Sequence, residues 1–177
     1  ISIDGISKAD GAVVTHSGSD PTEGDYVLVF ASGMVELDAR VFRVASVVAS
    51  TSFVLEGEDS TDYSTFTAGA NSYFQVITLG HTFNTFTDVN ASGGEPNFKD
   101  TTTIHQTIQT QVPVNLTPFV INFTSKWSAT DTALAAAKAA SDARTRKVFM
   151  ISFSTGERIL GYGYFSTGLI PGGSAQD

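Results

Sequence analysis

Three histidines, His16, His81 and His105, and a scatter of carboxylates are the side chains whose types suit metal binding or acid–base work. The histidines lie far apart and match no metal-ligand spacing, so each is expected to be a solvated or hydrogen-bonded structural residue. Asp20, Glu23 and Asp25 crowd one turn and could offer oxygens to calcium, but without the ordered ligand positions of a calcium loop. Glu56 and Glu58 occupy an acidic turn region, where a solvated face is expected before a glycosidase pair. Gly161-Tyr162-Gly163 lacks the third glycine and the following helix of a dinucleotide fingerprint, so these glycines are expected to relieve crowding within a strand. No serine sits in a G-x-S-x-G elbow, and with no cysteine the chain has no thiolate nucleophile, disulfide or Cys-based zinc site. Arg144, Arg146 and Lys147 could meet phosphate, yet they also suit a helix C-terminus and carboxylates such as Asp142, which is the preferred reading. No residue set recommends a catalytic, cofactor-binding or metal role, and the chain is read as a non-enzyme with no cofactor.

The whole chain must then supply the function. At 177 residues, with 41% apolar and 16% charged residues, it can bury a real core as one medium domain or two small ones. No run of about 18 apolar residues is present to span a bilayer, and Ile1 to Asp10 lacks the basic-then-apolar order of a signal peptide. The absent initiator Met is expected of a fragment or a processed product. A net charge of −8 argues against a sequence-specific DNA binder. That charge is uneven: residues 1–73 hold eleven acids against three bases, whereas residues 74–177 hold seven of each. The two parts are expected to meet solvent or partners differently.

Residues 1–72 read as an acidic small β module with strands at Ile1–Ile6, Ala12–Ser17, Tyr26–Phe30, Arg40–Val48 and Ser52–Glu56, separated by Gly11, Gly24 and Gly33. Residues 73–177 continue with strands at Tyr73–Thr87 and Thr102–Pro113 around a long loop, Asp88–Asp100, which contains Gly93-Gly94 and Pro96. Thr103, His105, Thr107, Gln109 and Gln111 alternate with Ile104, Ile108 and Val112, giving one face that is polar and uncharged. A strand is expected at Phe119–Trp127 with Phe119, Ile121 and Phe123 inward. Ser128-Ala129-Thr130-Asp131 fits a capping box, and the Ala-rich run after it predicts a helix at about 129–144 lying on a sheet. A hairpin then turns at Ser154-Thr155-Gly156-Glu157.

Two resemblances cover nearly the whole chain. Gly5-Ile6-Ser7-Lys8-Ala9, Ala12-Val13-Val14-Thr15, Glu23-Gly24-Asp25, Gly33 to Arg40 and Ser60-Thr61-Asp62-Tyr63 resemble a small β module of phage tail proteins, similar in fold to the first catalytic cysteine half-domain named from ubiquitin-activating enzymes. Asp38-Ala39 stands where that pattern often has Asn-Gly, and no ubiquitin chemistry is implied. Gly94 to Thr102, the strand end at Trp127, Asp131 with Ala133-Leu134-Ala135-Ala136, and the Phe149–Phe165 hairpin resemble tail tube proteins of long-tailed bacteriophages. The resemblance implies a mainly β fold: a β-sandwich or barrel core with one flanking helix, preceded by the small β-barrel module. It implies a structural subunit, located in the virion tail and assembled in the host cytoplasm, that forms stacked homohexameric rings around a channel. Its partners would be other copies, tape measure and tail terminator proteins, and DNA that passes without sequence-specific binding; no membrane is involved.

Within that reading Glu95, Pro96, Asn97, Phe98, Lys99 and Asp100 are expected at the contact between rings, with Phe98 as the apolar anchor. Thr103, His105, Thr107, Gln109 and Gln111 are expected to face the lumen, where a polar uncharged surface would not grip phosphate. The acidic module is expected to project outward. The alternative is a virion-surface binding module, an adhesin or carbohydrate-recognition domain, with Tyr63, Phe66 and Tyr73 as candidate exposed aromatics.

Overall fold

Short apolar runs punctuated by turns give the chain's first half one curled antiparallel sheet. The computed structural model describes residues 1–69, 71–83, 85–102, 105, 108–126, 128 and 130–167. Six strands, β1 (Ile3–Ile6), β2 (Val13–His16), β3 (Tyr26–Phe30), β4 (Arg40–Val48), β5 (Ser52–Leu55) and β6 (Tyr73–Ile77), lie in the order β1-β2-β5-β4-β3-β6. The two ends of that order meet. Ser2 bridges Tyr73, Ile3 N donates to Ser72 O at 3.0 Å, and Phe74 N donates to Ile1 O at 2.8 Å. The sheet therefore closes on itself, which leaves neither outer strand without a partner. The boundary expected between residues 72 and 73 falls inside this sheet, because Tyr73–Ile77 pairs with Tyr26–Phe30. The long strand expected at Tyr73–Thr87 ends at Ile77, opposite Tyr26, where β3 has no further residue to pair.

Alternation along these strands sends Val14, Val27, Val29, Val44, Phe53, Leu55 and Phe74 inside, where Met34 and Leu37 from the β3–β4 connection join them. Phe53 and Phe74 meet edge-on with ring centroids 4.8 Å apart. Burying each such side chain contributes about 1.5–3 kcal/mol, so the barrel's core rests on many additive terms rather than one contact.

The same compact unit takes in the chain from Ala133 through the final hairpin. The helix α1 (Thr132–Asp142) buries Ala133, Ala137 and Ala140, a stripe at i, i+4 and i+7. It is shorter than the expected 129–144. It ends where Arg144 takes a φ of 50°, with Arg144 N donating to Ser141 O and Thr145 N to Ala140 O, both at 3.1 Å. This is the left-handed cap geometry that usually recruits glycine. β11 (Arg146–Ser152) and β12 (Arg158–Tyr164) form the expected hairpin. A Cβ on Gly161 would lie 2.3 Å from the Phe149 ring, so that glycine does relieve crowding. Tyr162 meets Phe30 edge-on at 6.0 Å, setting β12 against β3.

A second unit is built from β7 (Phe86–Ser92), β8 (Pro96–Asp100), β9 (Gln111–Leu116) and β10 (Val120–Ser125). A mainly β chain with a barrel-like sheet and one helix is the class that the sequence implies.

Candidate assembly interface

The second unit holds every residue singled out for contact or lumen. β7 pairs with β10 and β8 with β9, both antiparallel, in registers that run on from one pair to the next. Phe86 faces Ser125, Ser92 faces Val120, Pro96 faces Leu116 and Asp100 faces Gln111. Between the pairs, Gly94 N donates to Thr117 O at 3.0 Å and Thr117 N to Glu95 O at 2.9 Å. The four strands are thus one long two-stranded ribbon, each arm about 50 Å if straight, with a bend at Gly93–Glu95. The bend requires glycine: Gly93 has a φ of 95°, and a Cβ there would lie 2.0 Å from Pro118 O.

The ribbon is amphipathic by the period of two. Val89 and Ala91 stand across from Phe123 and Ile121, and Phe86 stacks between Phe83 and Phe123 with centroids 4.7 and 4.8 Å away. Asp88 and Asn90 stand across from Thr124 and Asn122 on the opposite face. Toward the tip the register shifts by one residue at Val114, so Leu116 shares a face with Pro96 and Phe98 while Val112 stands across from Lys99. Val112, Val114 and Leu116 are 50%, 63% and 66% exposed. Phe98 is 58% exposed and Phe119 65% exposed. Isolated two-stranded ribbons are marginal in water, and contiguous bare apolar side chains of this size mark a surface meant to be covered. Among the described residues each arm of the ribbon pairs only with the other, so both backbone edges are open to further strands.

Three expectations are corrected here. Asp88–Asp100 is not a loop: β7 runs through Ser92, β8 begins at Pro96, and Gly93–Glu95 alone separates them. Thr103–Val112 is not one strand. Strand β9 begins at Gln111, His105 lies in a turn, and Ile108 lies in a bend. Local side-chain bonds compete with the ladder at this point. The Asp100 carboxylate accepts from Thr102 N at 2.8 Å and from its hydroxyl at 2.5 Å, Gln109 Nε2 donates to Asp100 at 3.3 Å, and Thr110 N donates to the Thr102 hydroxyl at 3.1 Å. The Thr102 hydroxyl, chiefly, holds the Asp100 carboxyl below the usual aspartate range. Phe119 is exposed rather than inward, while Ile121 and Phe123 are half-buried.

Of the contact candidates, Pro96–Asp100 form β8 and Glu95 ends the bend, all exposed. Of the lumen candidates, His105, Gln109 and Gln111 are exposed, and Thr103 and Thr107 lie outside the described residues, as do Ile104 and Trp127. Exposed Val114 and Leu116 were missed; the run Val112 to Leu116, apolar but for Asn115, was the available signal.

Several of the carboxylates that suggested chemistry are engaged in holding the barrel. Glu58 takes both arms of Arg40 at 2.8 and 3.2 Å and the Tyr63 hydroxyl at 2.7 Å, and that hydrogen bond raises the Tyr63 phenol above its ordinary value. Glu56 pairs with Arg43, Asp20 accepts from Ser50 N, and Asp25 accepts from Thr22 N. His16 differs from expectation: it is buried between Phe53 and Phe74, makes no hydrogen bond through its ring, and places Nε2 3.5 Å from Asp20. Tyr63 and Phe66 pack against the core, and Tyr73 stacks on Phe30 at 4.7 Å. Among the described residues no helix is long and apolar enough to cross a membrane.

A barrel closed by its own strands, one short helix, and a long ribbon with bare apolar rows define a β protein built to associate. The chain belongs to the phage tail tube protein (TTP) family, whose model matches residues 32–174. It is a structural protein of the phage virion tail that assembles with itself and with other tail proteins. No curated protein and no solved structure matches it.

Proposed function

We propose that the chain forms homohexameric rings that stack into a tube around a channel through which DNA passes without sequence-specific binding. The observation that supports this best is the ribbon from Phe86 to Ser125, whose apolar rows and open edges lack a cover that neighbouring copies would provide. Glu95–Asp100, centred on exposed Phe98, make the contact between rings, and the polar tip with His105, Gln109 and Gln111, together with Thr103 and Thr107, faces the lumen. Tape measure and tail terminator proteins meet the tube at its interior and end, and assembly takes place in the host cytoplasm.

Residues 1–72 act as an acidic module, similar in fold to the first catalytic cysteine half-domain, with residues 73–177 as the tube core; β6 completes the module's sheet from the core side. The module projects outward, where its excess of acids over bases avoids like-charge repulsion at subunit contacts. The carboxylates nearest to chemistry are held in ion pairs and backbone bonds, which favours a structural role without catalysis or cofactor. Electron microscopy and native mass measurement of the purified protein test the reading. Rings of six and stacked tubes are expected; monomers alone at high concentration would overturn it.

A further inference from the structure

Within the first unit, an open cleft of about 410 Å³ is lined by Tyr26, Arg43, Glu56, Gly156, Arg158 and Leu160. Its hydrogen-bonding groups are unbalanced. Arg43 directs one nitrogen, Nη1, to both Glu56 oxygens, at 2.8 and 2.7 Å. A fork-to-fork pair would engage Nη2 as well; among the described residues no hydrogen bond takes it up. Arg158 Nη1 donates to the Tyr26 hydroxyl at 2.6 Å, and Arg158 forms no ion pair among the described residues. Because that hydroxyl oxygen accepts from Arg158, its own hydrogen points elsewhere and serves as a donor. The cleft thus holds two guanidinium charges and a phenolic donor against one carboxylate that is already occupied. Gly156, at a φ of 94° with open space where a Cβ would stand, leaves the entrance unobstructed by a side chain.

We infer that this cleft binds a single oxyanion, a carboxylate or a phosphate group, between Arg158, the Tyr26 hydroxyl and Arg43 Nη2. One oxyanion supplies the acceptors that these three donors lack, and charge-assisted bonds to guanidinium are about twice as strong as neutral ones. Glu56 beside the site and the acidic surroundings disfavour a polyanion, so the ligand is an isolated group rather than a nucleic-acid backbone. The inference stands apart from tube formation, since it concerns one unit of one chain.

The test is a nitrogen-15 NMR titration of the full chain, kept monomeric by dilution, with inorganic phosphate and, separately, with acetate against chloride at equal ionic strength. Saturable shifts are expected at the Arg158 and Arg43 side-chain N–H signals and at the Gly156 amide, with affinity reduced about tenfold in Arg158→Gln. Tyr26→Phe should also weaken binding, and it keeps the ring in place. Shifts that stay linear, or that match those in chloride or in Arg158→Gln, overturn the inference. If acetate binds and Arg158→Gln also weakens association between copies, the natural ligand is a carboxylate of a neighbouring copy. If phosphate binds and association is unaltered, it is free phosphate. Either result supports the site.

Discussion

The barrel of β1–β6 and the ribbon of β7–β10 use the same strand chemistry to opposite ends. In the barrel, alternation turns valines, leucines and phenylalanines inward until Val14, Phe53 and Phe74 are wholly buried, and the last strand returns to the first. In the ribbon Val112, Val114 and Leu116 are left bare on both sides of a bulge at Val114, and among the described residues each arm pairs only with the other. A sheet that closes on itself stabilises its own fold; a ribbon that does not close keeps its apolar rows and edges for another chain. Self-sufficiency and readiness to assemble are thus assigned to different strands of one chain.

The sharpest way to break the comparison is to cut into the barrel core. Phe53→Ala or Phe74→Ala should lower the monomer's unfolding free energy by about 3–5 kcal/mol, read by chemical denaturation, because each ring is fully enclosed. A loss below about 1 kcal/mol would mean that the barrel is not the stable part. In the ribbon, Phe98→Ala should remove about 1–3 kcal/mol from association between copies while leaving monomer stability within about 0.5 kcal/mol. An unaltered tube with a weakened monomer would instead place Phe98 in its own fold. Glu58→Gln should cost the barrel about 1 kcal/mol, since it unbalances the bonds to Arg40 and Tyr63 while half-exposed Arg40 remains solvated. It should also bring the Tyr63 titration back toward the ordinary phenol range, measured by ultraviolet absorbance.

The smallest effect concerns acidity at the ribbon tip. The folded-state carboxyl of Asp100 lies below its unfolded value, so its contribution is complete above the ordinary aspartate range and fades as pH falls through the folded value. The local order of Thr101, Thr102, Gln109 and Thr110, followed by amide chemical shifts, should loosen on acidification in the parent protein. In Asp100→Asn that pH response should be absent.

How much of this was legible beforehand divides along the same line. Five of the barrel's six strands could be read within a residue or two, because a continuous apolar run at Val27–Val29 and alternation along Arg40–Val48 mark buried segments and turn residues mark their ends. β6 was read together with the residues that follow it, whereas it pairs with β3, since periodicity locates a strand without naming its partner. The ribbon was harder still. Thr103 to Val112 alternates as cleanly as any strand, yet Asp100, Thr101 and Thr102 bond locally with Gln109 and Thr110 and turn the chain there. Conversely, Gly93-Gly94 and Pro96 looked like the centre of a loop, when Gly93 makes a bend and Pro96 opens an edge strand whose pairing does not need its missing N–H. His16 gave no warning of its burial, because the rings of Phe53 and Phe74 that enclose it are far away in sequence.

Amide hydrogen exchange, compared between the dilute monomer and the assembled tube, tests the central claim most directly. Amides of Val27–Val29, Val44 and Phe53–Leu55 should be strongly protected in both states, while those of β7–β10 should exchange rapidly in the monomer and become protected on assembly. Ribbon amides already as protected as the barrel in the monomer, or still exposed in the tube, would contradict it.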